Sequence, residues 1–204
     1  MLNHQDGMVD VNQYIYKQPI ARLGKLVSNA VALRLMKYEG VDLGCGPYEL
    51  LNKEGLDFNP KMVEAIRVRY PNSKIVEGDI FNLPYKTGSL ASVSMSHVLE
   101  HLAPLSKALI EVKRVLRPRG EIIFQLPTEG FLYRLAAGLT TERRVKRMVG
   151  ENYLDFKAAE HVNSCRYILD QLGSLFKVTR LVGIPFGVSL IEPNIFIIGR
   201  CIKE

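Results

Sequence analysis

Val41-Asp-Leu-Gly-Cys-Gly-Pro47 is the stretch of this sequence that determines the fold class. It runs from an apolar segment into a turn with two glycines, and an acid, Asp42, lies just ahead of the turn. Because Gly44 and Gly46 carry no side chain, a ligand can approach the backbone there closely. Such turns hold nucleotide-like ligands at the carboxyl end of a parallel strand. The stretch therefore predicts a ligand-binding turn after a first strand.

Short apolar segments alternate with helical patterns along the rest of the chain. Asn59 and Pro60 have the residue types of a helix cap and first helical position. The spacing of apolar residues predicts helices over 61–70, 105–116 and 166–175, and strands over 74–77, 90–96, 121–126, 177–182 and 194–201. The run 117–120 should stop the helix before it. This alternation predicts an α/β fold with a parallel, doubly wound sheet.

We expect a single domain over residues 1–204. Within it, 1–37 form an N-terminal helical segment, with Pro19 near the start of its main helix. Residues 128–160 interrupt the alternation with a helical pattern and are interpreted as a lid or insertion that shapes a substrate site. Their basic run at 143–147 is typical of a solvated helix face, although an anionic acceptor, a membrane surface or nucleic acid stays open.

Composition excludes several classes of protein. The chain is 47% hydrophobic and 24% charged, as in soluble globular proteins, and no apolar run reaches the roughly 20 residues of a membrane span. The N-terminus lacks the pattern of a signal peptide, so we expect a cytoplasmic location and no stable membrane insertion. Three cysteines without a close pair argue against disulfides and zinc. No aromatic-interleaved basic motif is present, so nucleic acid is not an expected partner.

Three acidic residues lie at the ends of three successive predicted strands: Asp42, Asp57 and Asp79. In a doubly wound sheet these ends line one crevice. An acid after the second strand can accept both hydroxyls of a ribose, and one after the third can reach the exocyclic amine of adenine. With the glycine turn, the acids predict a site for an adenosine-containing ligand.

Further motifs follow in order: Val41-Asp-Leu-Gly-Cys-Gly46, Leu56-Asp57, Gly78-Asp79-Ile80, Leu83-Pro84-Tyr85, Ser96-His-Val-Leu-Glu-His-Leu102 and Glu111-Val-Lys-Arg-Val-Leu-Arg-Pro-Arg-Gly120. Together they resemble class I S-adenosylmethionine-dependent methyltransferases of the type-11 group, over roughly residues 38–200. The resemblance implies a Rossmann-like methyltransferase fold. That fold is a doubly wound, mostly parallel seven-stranded sheet with the last strand antiparallel, here with a helical insertion after strand five.

The resemblance also implies S-adenosylmethionine as the cofactor and S-adenosylhomocysteine as the product. The glycine turn would contact the methionine and ribose parts through its backbone. Asp57 would bind the ribose hydroxyls, Asp79 would face the adenine amine, the Ile80 N–H would face the ring, and Ser96 and His97 would lie near the methyl group. The expected cofactor-binding set is Asp42, Gly44, Cys45, Gly46, Asp57, Phe58, Asp79, Ile80, Ser96 and His97.

Two features depart from the family pattern. Tyr48 stands where a third glycine is common. The segment from Asp42 to Asp57 is too short for a full crossover helix, so we expect a loop or a short helix there. A subset of the family shares this shortening, which therefore does not imply a loss of function.

Three histidines are the candidate catalytic residues. His97 and His101 lie four positions apart, on one face if this segment is helical, and His161 stands where matching family members have a histidine near the active-site mouth. A histidine with a pKa near roughly 6.5 can act as a general base. Structural roles stay open, with Glu100 and His101 bracing the following helix and His161 acting as a helix cap. Because only one carboxylate lies near, no metal site is expected.

The lead hypothesis is methyl transfer to a small-molecule or glycan-like acceptor by direct in-line displacement. The alternative is a catalytically silent S-adenosylmethionine-binding or partner module of the same fold. An NAD-dependent oxidoreductase is disfavoured because a G-x-G-x-x-G fingerprint needs glycine at position 49, where Glu49 stands. We expect a monomer or homodimer, and the fold does not identify the acceptor.

Overall fold

Helices alternate with strands in the computed structural model, which describes residues 19–46, 49–140, 146 and 159–204. The helices are α1 (Pro19–Leu35), α2 (Pro60–Arg69), α3 (Leu105–Val115), α4 (Phe131–Thr140) and α5 (Cys165–Leu175), and a 3₁₀ turn spans Leu99–His101. The strands are β1 (Val41–Leu43), β2 (Glu54–Asp57), β3 (Lys74–Glu77), β4 (Leu90–Ser96), β5 (Leu116–Pro127), β6 (Lys177–Ile184) and β7 (Phe196–Ile202). The loop at 49–53 lies where a loop or short helix was expected.

The strands form a seven-stranded sheet in the order β3-β2-β1-β4-β5-β7-β6. The pairs from β3 through β5 are parallel, whereas β7 runs antiparallel to both β5 and β6. This confirms the predicted fold class, including the antiparallel last strand. Because β7 is antiparallel, its first residue, Phe196, lies at the same edge as the carboxyl ends of β1–β5.

The central strands of the sheet are buried on both faces, as a doubly wound fold requires. Successive residues of β5 point to opposite faces. Ile122 and Phe124 belong to the large buried cluster that includes residues of α3 and α5. Ile123, between them, packs with Ala32 of α1 and Ile198 of β7. Helices on both faces leave the carboxyl edge of the strands as the place for a ligand.

The start of α2 and the junction between α3 and β5 can be compared with the boundaries that the sequence predicted. The side chain of Asn59 accepts a hydrogen bond from the Lys61 N–H, so Asn59 caps α2 as predicted. The run 117–120, predicted as a break, instead belongs to β5, which begins directly after α3 at Leu116. Arg119 adopts a φ of 60°, and the pairing with β4 shifts register at this point. The residues that were expected to end the helix therefore form an irregularity inside strand β5.

Most of the predicted insertion at 128–160, including the basic run 143–147 apart from Lys146, lies outside the described residues. Its described part contains α4, in agreement with the predicted helical pattern. The N-terminal segment is described from Pro19, where α1 begins. The helices that can be described are each too short or too polar to cross a bilayer.

Candidate active site

The glycine turn closes β1 with two residues in the left-handed region. Gly44 has a φ of 67° and Gly46 a φ of 55°, a conformation that glycine adopts without the usual steric cost. The N–H groups of Gly44 and Cys45 donate to the Leu56 carbonyl oxygen at 2.7 and 3.1 Å, which fixes the turn against β2. Burial, aided by two nearby carboxylates, raises the pKa of the Cys45 thiol to about 12, so Cys45 is no nucleophile at neutral pH.

Asp57 lies at the carboxyl end of β2 and joins the turn to the start of α2. Its Oδ2 accepts the Gly46 N–H at 2.9 Å and its Oδ1 accepts the Asn59 N–H at 2.9 Å. Burial raises the pKa of this carboxyl. Beside it, Phe58 is 68% exposed, and a Cβ added to Gly46 would meet none of the described residues within 4 Å. The turn therefore presents a carboxylate, an apolar ring and open space in front of a glycine.

Asp42, in strand β1, forms hydrogen bonds with the loop that follows the glycine turn. Its Oδ2 accepts the N–H groups of Leu51 and Asn52 at 2.6 and 3.0 Å, and its Oδ1 accepts the Asn52 side-chain amide at 2.8 Å and the Ser94 hydroxyl. Burial raises the pKa of Asp42. These bonds engage both carboxylate oxygens, and we therefore assign Asp42 to holding the loop after β1. Its predicted contact with the cofactor stays a prediction.

Asp79 and Ile80 follow β3 at the same edge of the sheet. Asp79 is exposed, and its Oδ1 accepts the Phe81 N–H at 2.9 Å in a tight turn. Ile80 is buried and belongs to the main core. The turn thus directs an exposed carboxylate next to a fixed backbone, as an adenine site requires.

A polar row that the sequence did not predict runs from β5 to the loop after β1. The Gln125 amide donates to Ser96 Oγ at 3.0 Å and to Asn29 Oδ1 at 3.1 Å, and Asn29 in turn donates to Glu49 at 2.8 Å. Burial lowers the pKa of Lys25, on the same helix as Asn29, to about 8, although the nearby Glu49 opposes this. Glu49 at the end of the row and the nearby Lys25 thus place groups of both signs at this edge.

The three predicted histidines surround one buried carboxylate. His97, with a φ of 57°, places its Nδ1 3.5 Å from Glu100 Oε1. The rings of His101 and His161 meet edge to face with centroids 4.8 Å apart. Burial alone would raise the pKa of Glu100, but the contact with His97 and the positive charges that the three histidines can carry lower it to about 2. The structure thus combines residues 60 positions apart into a His–Glu cluster, defined here as His97, Glu100, His101 and His161.

Hydrogen bonds fix the ring orientations of His101 and His161. His101 Nδ1 lies 2.9 Å from the Glu160 carbonyl oxygen, and His161 Nδ1 contacts the carboxylate of Glu129. Since those partners accept hydrogen bonds, the Nδ1 of each histidine acts as the donor, which leaves Nε2 as the lone-pair nitrogen of the neutral tautomer. The His161 side chain is only 3% exposed.

Asn163 holds the segment of His161 against the 3₁₀ turn. Its side-chain amide donates to the carbonyl oxygens of Leu99 and Leu102 at 2.9 and 2.7 Å, and its N–H donates to the Glu100 carbonyl oxygen at 3.1 Å. Asn163 and Glu129 were both missed by the sequence reasoning. Asn163 could have been suspected from its place two residues after His161, whereas no local signal links Glu129 to a histidine 32 positions away.

Comparisons with known proteins show which family and which fold this chain resembles. Residues 41–124 match the model of a family described as a methyltransferase domain. A probable S-adenosylmethionine-dependent methyltransferase from Mycolicibacterium smegmatis is 36% identical over 73 residues, which are 36% of this chain and 28% of that protein. A demethylmenaquinone methyltransferase from Chlamydia felis is 39% identical over 67 residues, 32% of this chain and 29% of that protein. The matches thus span less than a third of these relatives.

A solved structure matches over nearly the whole chain. It is a Thermotoga maritima protein titled an S-adenosylmethionine-dependent methyltransferase and possible histamine N-methyltransferase. The two are 23% identical with a TM-score of 0.61, and the match covers 94% of this chain and 99% of that one. The family match and the two relatives confirm the predicted resemblance to S-adenosylmethionine-dependent methyltransferases, and the solved structure confirms the predicted fold.

Proposed function

We propose that this chain is an S-adenosylmethionine-dependent methyltransferase acting on a small-molecule or glycan-like acceptor. The observation that carries the proposal is the pairing of Gly46 with Asp57, beside space that none of the described residues fills. The family match over residues 41–124 spans this turn and the strands on either side.

The residues at the carboxyl edge fit the parts of this cofactor. Each oxygen of Asp57 accepts one backbone N–H and keeps a second lone pair for a ribose hydroxyl. The exposed ring of Phe58 offers an apolar face to a purine, and the exposed Asp79 offers an acceptor to its amine. The row from Asn29 to Ser96 meets the amino-acid end.

When bound, S-adenosylmethionine supplies a methyl group on a sulfonium, which leaves as a neutral thioether when an acceptor lone pair takes the methyl carbon. The protein's task is then alignment of the acceptor and removal of its proton. His97 suits the second task, because it is 23% exposed and its Nδ1 faces the Glu100 carboxylate. That carboxylate stabilises the imidazolium formed when His97 takes the proton, as a base and its orienting acid do in other enzymes.

The acceptor site is assigned to the space beside His97. Phe196 packs edge to face on that histidine with ring centroids 5.4 Å apart, and Phe131 at the start of α4 is 70% exposed. An apolar ring packed on a histidine favours an acceptor with a ring or other apolar body. The name of the Chlamydia felis relative adds quinols to the small molecules worth testing.

Calorimetry with S-adenosylmethionine, S-adenosylhomocysteine and NAD tests the cofactor. We expect binding of the first two and none of NAD; absence of binding to the first two would overturn the proposal. A methyl-transfer screen over phenols, quinols, amines and glycans then tests turnover. Binding without turnover on any acceptor supports the silent-module alternative, and an H97Q variant that keeps full turnover excludes His97 as the base.

A further inference from the structure

The carboxylate of Glu100 is the most unusual group in the described part of the chain. The residue is 1% exposed, yet neither of its oxygens has a hydrogen-bond partner among the described residues. One neighbouring donor, His97 Nδ1, lies 3.5 Å away, beyond the usual range of an N–H···O bond. A buried carboxylate without partners is costly unless an opposite charge neutralises it.

His161 offers a second unpartnered buried atom beside this carboxylate. Its Nε2 makes no hydrogen bond with any residue that the structure describes. Glu100, His101 and His161 each place a potential ligand atom within 4.8 Å of the others. We propose that these three side chains bind one divalent transition-metal ion, with Zn²⁺, Co²⁺ and Mn²⁺ as the matching class.

The donor set fits such an ion. Two imidazoles and one carboxylate are a common ligand set for these metals, which leaves a position open for water or substrate. Ligands about 2.0–2.1 Å from a tetrahedral ion lie about 3.4 Å apart. Since 4.8 Å bounds the present separations, the ligand atoms need to draw together by at most about 1.4 Å, which rotamer adjustments can supply.

The outer contacts of both histidines support the same assignment. A metal-binding histidine normally donates its other N–H to a carbonyl or a carboxylate, which sets the tautomer and the ring orientation. His101 has the Glu160 carbonyl oxygen in this position, and His161 has the Glu129 carboxylate. With Nδ1 donating outward, the neutral form of each histidine has its lone pair on Nε2, which is the form that binds a metal.

The bound ion would lie next to the proposed acceptor site, where its open position could polarise an acceptor oxygen. That role rests on the proposed methyl transfer. The binding of the ion does not depend on methyl transfer, so an experiment can contradict either proposal without contradicting the other.

The test uses the tag-free full-length chain, stripped of metal and titrated with Zn²⁺, Co²⁺ and Mg²⁺ by calorimetry. We expect one Zn²⁺ or Co²⁺ per chain, with Mg²⁺ bound far more weakly. H161N and E100Q should each lose at least about 100-fold in affinity, and E129Q about 10-fold. E64Q is the matched control for E100Q, because it makes the same chemical change at an exposed position of α2, away from the cluster, and should still bind.

Cobalt spectroscopy on the wild-type chain tests the proposal even if the variants fail to fold. X-ray absorption should give a first shell of nitrogen and oxygen with two imidazoles, and it separates this site from any of the three cysteines. Sulfur ligation, failure of the wild-type chain to bind Zn²⁺ or Co²⁺, or unchanged affinity in folded H161N would each overturn the proposal. The cluster would then be a set of proton-sharing ion pairs.

Discussion

At the scale of single residues, Gly46 offers the sharpest test of the cofactor site. An alanine there has two effects: it strains a φ of 55° and it fills space where the cofactor would lie. Gly88 has the same features, a φ of 68° and nothing within 4 Å of an added Cβ, but it lies in the turn before β4. The two substitutions therefore share a strain cost of about 1–2 kcal/mol.

We expect G46A and G88A to lower the melting temperature by similar amounts, and only G46A to abolish S-adenosylhomocysteine binding. Thermal unfolding and calorimetry on the same samples check both halves. Equal affinity in the two variants would mean that the turn does not face the cofactor.

The Asp57 carboxylate should contribute charge-assisted hydrogen bonds to a ribose. Such bonds are worth about 1.5–3 kcal/mol, so D57N should weaken S-adenosylmethionine binding by about 10–100-fold. D170N makes the same chemical change at an exposed position of α5 and should leave the affinity unchanged. Calorimetry distinguishes the two, and wild-type affinity in D57N would remove Asp57 from the site.

Asp57 should also leave a mark on the pH dependence of stability. Burial raises its pKa above the ordinary value of 3.8, so the folded chain holds this proton longer than the unfolded chain does. Its contribution to stability is then present below pH 3.8 and is lost as the pH rises through the raised pKa. Urea unfolding at a series of pH values should show this decline in the wild type and in D170N, and a flatter profile in D57N.

The residue types alone predicted that acids and histidines would gather at one edge, but not what each does there. Asp42 carries the same sequence signal as Asp57, yet its oxygens are engaged by the loop at 51–52 and by Ser94. Only the fold determines which partner a carboxylate meets, because those partners lie 9 to 52 positions away.

At the scale of secondary structure, the 3₁₀ turn after β4 depends on a segment far along the chain. Asn163 donates from one amide to two carbonyl oxygens of that turn. We expect N163D to be more destabilising than N163A at neutral pH, because a carboxylate can only accept and would face two acceptors. N163A should lower the free energy of unfolding by about 1–3 kcal/mol.

Urea unfolding at neutral pH checks this order, and S164A is a neighbouring control that removes only a cap on α5. If N163D were as stable as the wild type, the amide would not be holding the turn. Both Asn163 variants should also reduce metal affinity in the His–Glu cluster, since His161 approaches Glu100 through this segment.

Element patterns were predictable where apolar spacing is strong. α3 has buried residues at 105, 108, 109, 112 and 115, the face expected from the sequence. The strand after α3 was predicted too short, because the residues from Arg117 to Gly120 have the composition that usually ends a helix or strand. In the structure, pairing with neighbouring strands keeps this part of the chain extended. Long-range pairing overrides local turn preference there.

At the scale of the whole molecule, the order of the strands could be expected from the alternation of strands and helices and from the family resemblance. The buried contacts that hold helix α1 to the sheet could not. Glu121 is fully buried, and its Oε1 accepts the N–H groups of Lys37 and Tyr38 at 2.7 and 3.0 Å. Its Oε2 accepts from Arg200 at 2.6 Å. One carboxylate thus ties the chain after α1 to β5 and β7, and no sequence pattern pointed to it.

Removing one partner of this buried pair should cost far more than removing both. R200M leaves the Glu121 carboxylate without its counter-charge and should lower the free energy of unfolding by about 3–5 kcal/mol. In E121Q/R200M, the amide oxygen still accepts the two backbone N–H groups and its NH₂ faces an apolar side chain instead of a guanidinium. The double variant should therefore be more stable than R200M, as measured by urea unfolding of both singles and the double. R200M within about 1 kcal/mol of the wild type, or a double variant less stable than R200M, would show that the pair does not fasten α1 to the sheet.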